Sequence, residues 1–308
     1  MYADGDRFGS SVNFFVKGSN MLKSINIFLL IIVLVGCTDG ISEKQKLAAI
    51  EQNKAILAFT CEGYGSHNTP MGDLQNNIWN AHSAAKFDWT QCLAMRTIDA
   101  NTQYGWYWQW PKEGYKVYAQ PQITLGNSPW LKHNLAKPGY PISVNQLEKL
   151  DIDYSLEILS DGELNLATTL WLTGSDTIPT EIDKSTIAAE VMIWTYASDD
   201  FYADPAGEKV AEIMVDGFEW EVWLHKNWQD MSAKNDNNWV YLAFRTKQPL
   251  MKIKFDAAQM LAYAIEQKFI TSDLYIADIQ LGTEIMSGTG QVWLNHYRVD
   301  VVPIKASL

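Results

Sequence analysis

Short segments in which apolar and polar residues alternate run through the chain from Ile56 onward. Gly, Asn, Asp and Pro residues separate these segments. A half-buried strand has this period of two, whereas a helix needs apolar residues three or four positions apart. The pattern therefore predicts an all-β sandwich that forms a single domain over residues 56–303.

The boundaries of the predicted strands follow from the turn residues between the segments. Two Asp-Gly pairs, 161–162 and 216–217, predict hairpins. Residues 131–145 contain two prolines and little periodicity, and predict a long surface connection. We expect strands at 55–60, 76–80, 91–97, 104–110, 116–125, 150–159, 163–173, 190–196, 210–215, 218–225, 239–245, 274–281 and 291–302.

One stretch has a helical pattern. Asp256 is a suitable N-cap, and apolar residues recur at helical spacing from Ala257 to Ile265. We expect a single helix that ends near Lys268 and packs on the outside of the sandwich.

The strand 190–196 places a carboxylate among apolar side chains. At period two, Glu190 shares a face with Met192, Trp194 and Tyr196. Such a face fits a ligand cleft. It also fits a core strand whose terminal Glu points into solvent, and the strand alone favours this second interpretation.

Charge and aromatic content narrow the choice of ligand. The formal net charge is −12 and the pI is near 4.8, which argues against nucleic acid and anionic membrane surfaces as partners. A neutral polymer stays possible. Thirteen Trp and fourteen Tyr residues could stack on sugar rings, although aromatic residues are also ordinary core material in sheet proteins.

The N-terminal part of the chain has the features of an export signal. Residues 21–36 join a basic start to an apolar run that is too short to span a bilayer, and residues 34–37 resemble the lipobox of bacterial lipoproteins. We therefore predict a misassigned start at 1–20, a lipoprotein-type signal peptide at 21–36, and a lipidated Cys37 with a tether at 37–55. The alternative is an ordinary signal peptide that ends near a cysteine.

Export affects how the other two cysteines are interpreted. In an oxidising compartment, Cys61 and Cys92 could form a disulfide that closes a loop of about 30 residues and stabilises the fold by roughly 3 kcal/mol. The alternative is two buried thiols. The chain has no CxxC or HExxH motif, so we expect no metal and no cofactor.

A second carboxylate, Glu284, lies in the Gly-rich stretch 282–290. Alone, a Glu beside such a turn is more often solvated or hydrogen-bonded than catalytic. Together with Glu190 it gains significance, because glycosidic hydrolysis needs two carboxylates in different protonation states on opposite sides of one bond.

Several sequence blocks resemble those of glycoside hydrolase family 12. They are Glu-Val-Met-Ile-Trp at 190–194, Gly-Thr-Glu at 282–284 followed by Ser-Gly-Thr-Gly at 287–290, Asn-Asn-Ile-Trp at 76–79, Gly-Trp-Tyr-Trp-Gln-Trp-Pro at 105–111, and Gln-Cys at 91–92. The blocks occur in family order, and the resemblance covers roughly residues 56–302. It implies a β-jelly-roll sandwich of two curved antiparallel sheets with one packed helix.

The resemblance also implies an activity and the residues that carry it. The family hydrolyses β-1,4-glucans with retention, including cellulose-like chains, mixed-linkage glucan and xyloglucan. Glu190 matches the nucleophile and Glu284 the general acid/base, and Cys61 and Cys92 match a family disulfide. The residues that match the substrate-binding cleft are Asn77, Trp79, Met192 and Trp194, with Trp130 as a weaker candidate that could equally be a core indole.

One position departs from the family pattern. Family members often have an Asp on the strand beside the nucleophile, hydrogen-bonded to it, and our alignment places Leu170 there. This predicts that Glu190 lacks a partner that adjusts its ionisation.

The sequence thus predicts a monomeric, exported endo-β-1,4-glucanase that acts on a neutral β-glucan and contacts the membrane only through its lipid. One alternative is a non-catalytic surface glycan-binding lipoprotein on the same sandwich, which would not need both Glu190 and Glu284. Another is an enzyme of neighbouring specificity, a xyloglucanase or a β-1,4-xylanase.

Overall fold

The computed structural model describes residues 56–98, 100–112, 116–131, 137–177, 184–199, 204–229 and 237–305. These residues form two β-sheets and one α-helix, so the predicted all-β sandwich of the jelly-roll type is confirmed. The predictions for residues 1–55, including the signal segment and Cys37, lie outside the described residues. Within the described ranges, none of the helices has the length and apolar character to cross a bilayer.

The elements are numbered in chain order. The strands are β1 (Leu57–Thr60), β2 (Ser66–Thr69), β3 (Gly72–Gln75), β4 (Thr90–Ile98), β5 (Asn101–Trp110), β6 (Gln122–Gly126), β7 (Ile142–Ser143), β8 (Leu147–Ser160), β9 (Asn165–Thr173), β10 (Ile187–Ala197), β11 (Glu208–Val215), β12 (Phe218–Trp228), β13 (Trp239–Thr246), β14 (Lys252–Asp256), β15 (Tyr275–Gly282) and β16 (Gly288–Pro303). The helix α1 spans Ala257–Glu266, and 3₁₀ turns lie at Ala81–Ala84, Val144–Gln146 and Lys184–Thr186.

The two sheets enclose the main hydrophobic core. One sheet has the order β1-β4-β5-β16-β8-β14, and the other has the order β11-β12-β13-β10-β9-β15-β6-β3-β2, with β7 beside β15. The strands pair antiparallel except for β10 and β13, which run parallel. Large side chains from both sheets, including Trp106, Trp108, Leu170 and Phe244, are fully buried between them.

The predicted hairpin at Asp161-Gly162 is wrong. Strand β8 pairs with β14 and β16, whereas β9 pairs with β10 and β15 in the other sheet. The turn therefore carries the chain from one sheet to the other. A Cβ atom on Gly162 would lie 2.0 Å from the backbone oxygen of Ser287, so the crossing passes too close to this neighbouring segment for a side chain. The hairpin at Asp216-Gly217 is confirmed as β11–β12.

Two other predicted strands differ from the structure, one by its absence and one by its length. The strand predicted at 76–80 is wrong, because β3 ends at Gln75 and the side-chain amide of Asn76 donates to the backbone oxygens of Glu62 and Gln91. The strand predicted at 116–125 begins only at Gln122. Strands β2, β7 and β14 are short, and the sequence pattern did not predict them.

The structure confirms the predicted helix and its N-cap. The Asp256 side chain accepts a hydrogen bond from the backbone N–H of Ala258 at 3.0 Å, and Met260, Leu261 and Ala264 are buried. Near the other end of the sandwich, Cys61 and Cys92 form a disulfide that links the segment after β1 to β4.

Candidate active site

Strand β10 presents a mixed polar and apolar surface on the side of its sheet that faces away from the main core. Val191 and Ile193 belong to the core between the sheets, whereas Met192 and Trp194 belong to a separate cluster on the opposite face. We call this opposite face the outer face. The register shifts between Trp194 and Tyr196, and Tyr196 packs against the main core instead of sharing the outer face as predicted.

Glu190 lies half-buried on this outer face. Its neighbours in register are Trp171 on β9 and Tyr241 on β13. The indole N–H of Trp239, two residues before Tyr241, donates to Glu190 Oε2 at 3.1 Å. A specific donor thus holds one carboxylate oxygen of Glu190.

Glu284 lies just after β15, and Asn165 at the start of β9 holds it in place. The Asn165 side-chain amide donates to Glu284 Oε2, its side-chain oxygen accepts from the Glu284 backbone N–H at 3.2 Å, and its own backbone N–H donates to the Glu284 backbone oxygen at 3.1 Å. Burial raises the pKa of the half-buried Glu284, and the hydrogen bond from Asn165 partly opposes this shift. Glu284 therefore holds a proton to a higher pH than an ordinary glutamate.

Tyr241 connects the two carboxylates electrostatically. Its hydroxyl is buried and lies 3.4 Å from the sulfur of Met192. Burial and the negative charges of Glu190 and Glu284 together hold the pKa of Tyr241 well above its usual range. Electrostatic effects weaken with distance, so this shift indicates that both carboxyl groups act on the same buried hydroxyl, although the two glutamates are far apart in the sequence.

The placement of Leu170 beside the nucleophile is wrong. Leu170 pairs with Val191 and is fully buried in the main core. The outer-face residues of β9 near Glu190 are Trp171 and Thr169, which pair with Glu190 and Met192. A one-residue error in alignment moves every side chain of a strand to the opposite face, which accounts for the mistake.

Asn77 and Trp79 lie to the side of the carboxyl pair. Their segment pairs with residues 117–120, since the Gln120 backbone N–H donates to Asn77, and residues 117–120 pair in turn with Ile285, next to Glu284. Both side chains are half-buried. The loop that carries Trp79 is therefore two backbone segments away from Glu284, at a distance of about 10 Å for adjacent extended chains.

Trp130 belongs to a cluster of three indoles beside Glu190. The ring centroids of Trp130, Trp171 and Trp239 lie 5.0–5.6 Å apart in edge-to-face arrangements, and the Lys184 ammonium lies 4.9 Å from the Trp130 ring. Trp171 and Trp239 are buried, whereas Trp130 is half-buried. Trp130 thus has an accessible part near the site and a packed part that supports Trp239.

The sequence did not identify Asn165, Trp239 or Tyr241 as site residues. Trp239 and Tyr241 lie on one face of a predicted strand, but their closeness to Glu190 depends on the parallel pairing of β10 with β13. This pairing skips the hairpin β11–β12 and has no local sequence signal. Asn165 similarly depends on the pairing of β9 with the segment after β15.

A buried carboxyl group, Asp278, supports the outer face from β15. It accepts a hydrogen bond from the Gln280 amide at 2.7 Å, and Gln280 accepts one from the Trp171 indole at 3.4 Å. Asp278 is fully buried, and this burial raises its pKa from 3.8 to about 7. The folded protein therefore favours the protonated form of Asp278 in weakly acidic solution.

We expect Asp278→Asn to change the pH dependence of stability. The folded-state pKa is raised, so between about pH 4 and 7 the folded state binds more protons than the unfolded state, and this residue lowers wild-type stability as the pH rises. Asparagine cannot ionise and can still accept from Gln280. The variant should gain stability relative to wild type across this window, by roughly 4 kcal/mol at most.

Urea unfolding of both proteins at pH 4.5, 6 and 8 measures this difference. Contributions from other titrating groups cancel in the comparison of the two proteins. A difference in the free energy of unfolding that does not vary with pH would contradict the assignment.

Comparisons with known proteins place these residues in context. The model of glycosyl hydrolase family 12 matches residues 71–302, which include both glutamates. Endoglucanase S of Pectobacterium parmentieri is 25% identical over 229 residues, which cover 74% of this chain and 81% of that protein.

Solved structures show the same fold. The family 12 xyloglucanase of Bacillus licheniformis superposes with a TM-score of 0.68 at 20% identity, covering 79% of this chain and 99% of the xyloglucanase. The endoglucanase Cel12A of Rhodothermus marinus gives a TM-score of 0.62 at 19% identity, covering 80% and 99% of the respective chains.

Proposed function

The chain belongs to glycosyl hydrolase family 12 and is an endo-acting hydrolase of β-1,4-glucans, and we propose that Glu190 is its nucleophile and Glu284 its general acid/base. The observation that carries this assignment is that a separate donor holds each carboxyl group, Trp239 for Glu190 and Asn165 for Glu284, and burial also raises the pKa of Glu284. A retaining glycosidase needs one ionised and one protonated carboxyl group on either side of the scissile bond.

In the first step, the ionised Glu190 attacks the anomeric carbon while Glu284 donates its proton to the departing glycosidic oxygen. The products are a covalent glycosyl-enzyme and a shortened chain with a new hydroxyl end. In the second step, Glu284, now anionic, removes a proton from water as the water attacks the same carbon and releases Glu190. Two inversions give overall retention.

Physical features of the site favour the protonated form of Glu284. Burial disfavours its charged form. In a retaining mechanism, an ionised carboxylate across the scissile bond disfavours that form further, so the two carboxyl groups carry unequal charge. Once Glu190 becomes an ester in the intermediate, that negative charge disappears and Glu284 can ionise to act as a base. The same residue thus serves as acid and then as base.

We propose that the outer face of the larger sheet binds the glucan chain. Met192 and Trp194 form the floor next to Glu190, and Trp130 adds an aromatic wall beside it. Asn77 and Trp79 lie on the side of Glu284 and would contact a neighbouring sugar, with the indole stacking on the apolar face of the ring. The substrate class is a neutral β-glucan, whether cellulose-like, mixed-linkage or xyloglucan.

A Trp79→Ala variant should weaken substrate binding. The loss of a stacked indole costs about 1–3 kcal/mol, which corresponds to a fall of roughly 10- to 100-fold in kcat/KM, mainly through a higher KM. Trp79→Phe keeps a flat apolar ring and should retain most of the activity. Steady-state kinetics on a soluble β-glucan measure both variants, and an unchanged kcat/KM in Trp79→Ala would exclude Trp79 as a sugar platform.

A digest of four polysaccharides tests the function itself. Carboxymethylcellulose, mixed-linkage glucan, xyloglucan and xylan are each incubated with the enzyme while viscosity and reducing ends are followed. Endo-cleavage predicts that viscosity falls steeply while few reducing ends have formed. Hydrolysis of xylan alone, or a steady release of single sugars, would contradict the proposal.

The alternative of a non-catalytic glycan-binding protein is not favoured. Such a protein would keep the aromatic residues but would have no use for a half-buried Glu284 beside Glu190, because burying an ionisable group costs stability. Binding to any of the four polysaccharides without cleavage would support this alternative.

We further propose that the enzyme is exported and held at the cell envelope by lipid on Cys37. Members of the family are typically extracellular. The lipobox-like residues 34–37 support the anchor, and residues 38–55 would be the tether. Mass spectrometry of the mature N-terminus tests this directly, and an unmodified terminus would contradict it.

A further inference from the structure

The family pattern has an aspartate hydrogen-bonded to the nucleophile. In this structure, the neutral indole N–H of Trp239 donates to Glu190. On β9, the outer-face residues in register with Glu190 and Met192 are Trp171 and Thr169, and neither has a carboxyl group. The Thr169 hydroxyl is buried and makes no hydrogen bond within the described part of the chain. The donor that reaches Glu190 comes from the opposite side, from Trp239 on β13.

Two other polar groups next to Glu190, on Tyr241 and Trp171, have partners elsewhere. The Tyr241 hydroxyl contacts the sulfur of Met192 at 3.4 Å, and the Trp171 indole donates to Gln280 at 3.4 Å. Trp239 directs its N–H to Glu190 Oε2 at 3.1 Å. Its position on the parallel neighbour strand therefore determines which carboxylate oxygen is held.

The packing of Trp239 makes it a rigid donor. Its side chain is 3% exposed, and its ring meets Trp171 and Trp130 edge-to-face at 5.6 Å each. Gln280 holds Trp171 through the indole N–H, and Asp278 holds Gln280. An indole fixed in this way cannot follow Glu190 if that side chain rotates, so the hydrogen bond favours one rotamer of Glu190.

We propose that Trp239 is a positioning residue for the nucleophile, which rests on the proposed role of Glu190. Its N–H binds Oε2, which fixes the direction in which the carboxylate faces the anomeric carbon. An indole N–H is neutral and donates only, so it stabilises the carboxylate without adding a second negative charge or sharing a proton. Trp239 thus stabilises the ionised form of Glu190 and orients it, in a site where the neighbouring Thr169 carries no carboxyl group.

Trp239→Phe tests this proposal, because phenylalanine keeps an aromatic ring and removes the donor. A hydrogen bond to a charged group is worth enough that kcat should fall by about 10- to 100-fold. KM should change much less, and the acid limb of the kcat/KM profile should move to higher pH. Trp293→Phe is the matched control, since Trp293 is a buried indole on β16 of the other sheet whose N–H donates to Gln291 at 2.9 Å, and this variant should keep the wild-type profile.

An NMR measurement on the intact protein tests the same contact if the variant folds poorly. In protein labelled with ¹⁵N at the tryptophan indoles, the Trp239 N–H resonance should shift with pH as Glu190 titrates, and the shift should be absent in Glu190→Gln. A wild-type acid limb and kcat in Trp239→Phe, or an indole resonance that does not respond to Glu190, would overturn the proposal. Full activity of Glu190→Gln would instead overturn the proposed function.

Discussion

Replacing Glu190 by alanine is expected to lower kcat on a soluble β-glucan by at least about 10⁴-fold, the order of loss seen when a nucleophile is removed from an enzyme with a covalent intermediate. Glu190 lies on the outer face of β10, is half-buried and accepts a hydrogen bond from Trp239. Its truncation removes no large apolar contact, so the fold should persist. Kinetics with a matched thermal unfolding curve measure the two effects separately.

Azide distinguishes loss of the nucleophile from general damage to the site. In Glu190→Ala, a small anion can enter the vacated space and attack an activated β-glycoside in one displacement, which inverts the anomeric carbon. We expect rescue with an α-glycosyl azide product, identified by NMR. Rescue that gives the β-azide would mean that Glu190 serves as the acid/base instead.

Replacing Glu284 by alanine is expected to have an effect that depends on the leaving group. Natural glucan needs a proton on the departing oxygen, so hydrolysis should slow by about 10²- to 10⁴-fold. An aryl glycoside with an acidic leaving group needs no such proton, and its first step should stay fast. Azide should then accept the glycosyl group from Glu190 and give the β-azide after two inversions.

The pH profile gives a second test of Glu284. Burial raises its pKa, so the protonated form that the first step requires persists to higher pH and sets the basic limb of the wild-type profile. In Glu284→Gln this basic limb should disappear, because glutamine does not titrate. A basic limb that stays in place, or an equal loss of rate on both classes of substrate, would contradict the acid/base role.

Local patterns in the sequence predicted much of this molecule. Alternation placed β10 correctly and put Glu190, Met192 and Trp194 on one face, and the Asp256 cap placed α1. These features depend on residues close in sequence, where steric preference and hydrogen bonding are local. The Asp-Gly turn at 161–162 is also a local signal, yet it does not specify whether the next strand pairs in the same sheet.

The residues around the two glutamates could not be predicted in the same way, because they meet through pairing of strands that are distant in sequence. The Leu170 error came from a shift of one residue, which only the register of β9 against β10 could resolve. Asn165 and Trp239 reach the glutamates through pairings between strands that are distant in sequence. The sequence predicted that Glu190 has no partner on the neighbouring strand β9, whereas the structure shows a donor from β13 on its other side.

Trapping the covalent intermediate tests the central claim most directly. A 2-deoxy-2-fluoro cello-oligosaccharide with an acidic leaving group forms the glycosyl-enzyme quickly, while the fluorine slows its hydrolysis by destabilising the oxocarbenium-like transition state. Proteolysis and mass spectrometry then locate the label. We predict one sugar adduct on Glu190, whereas an adduct on Glu284 or on any other residue would contradict the mechanism.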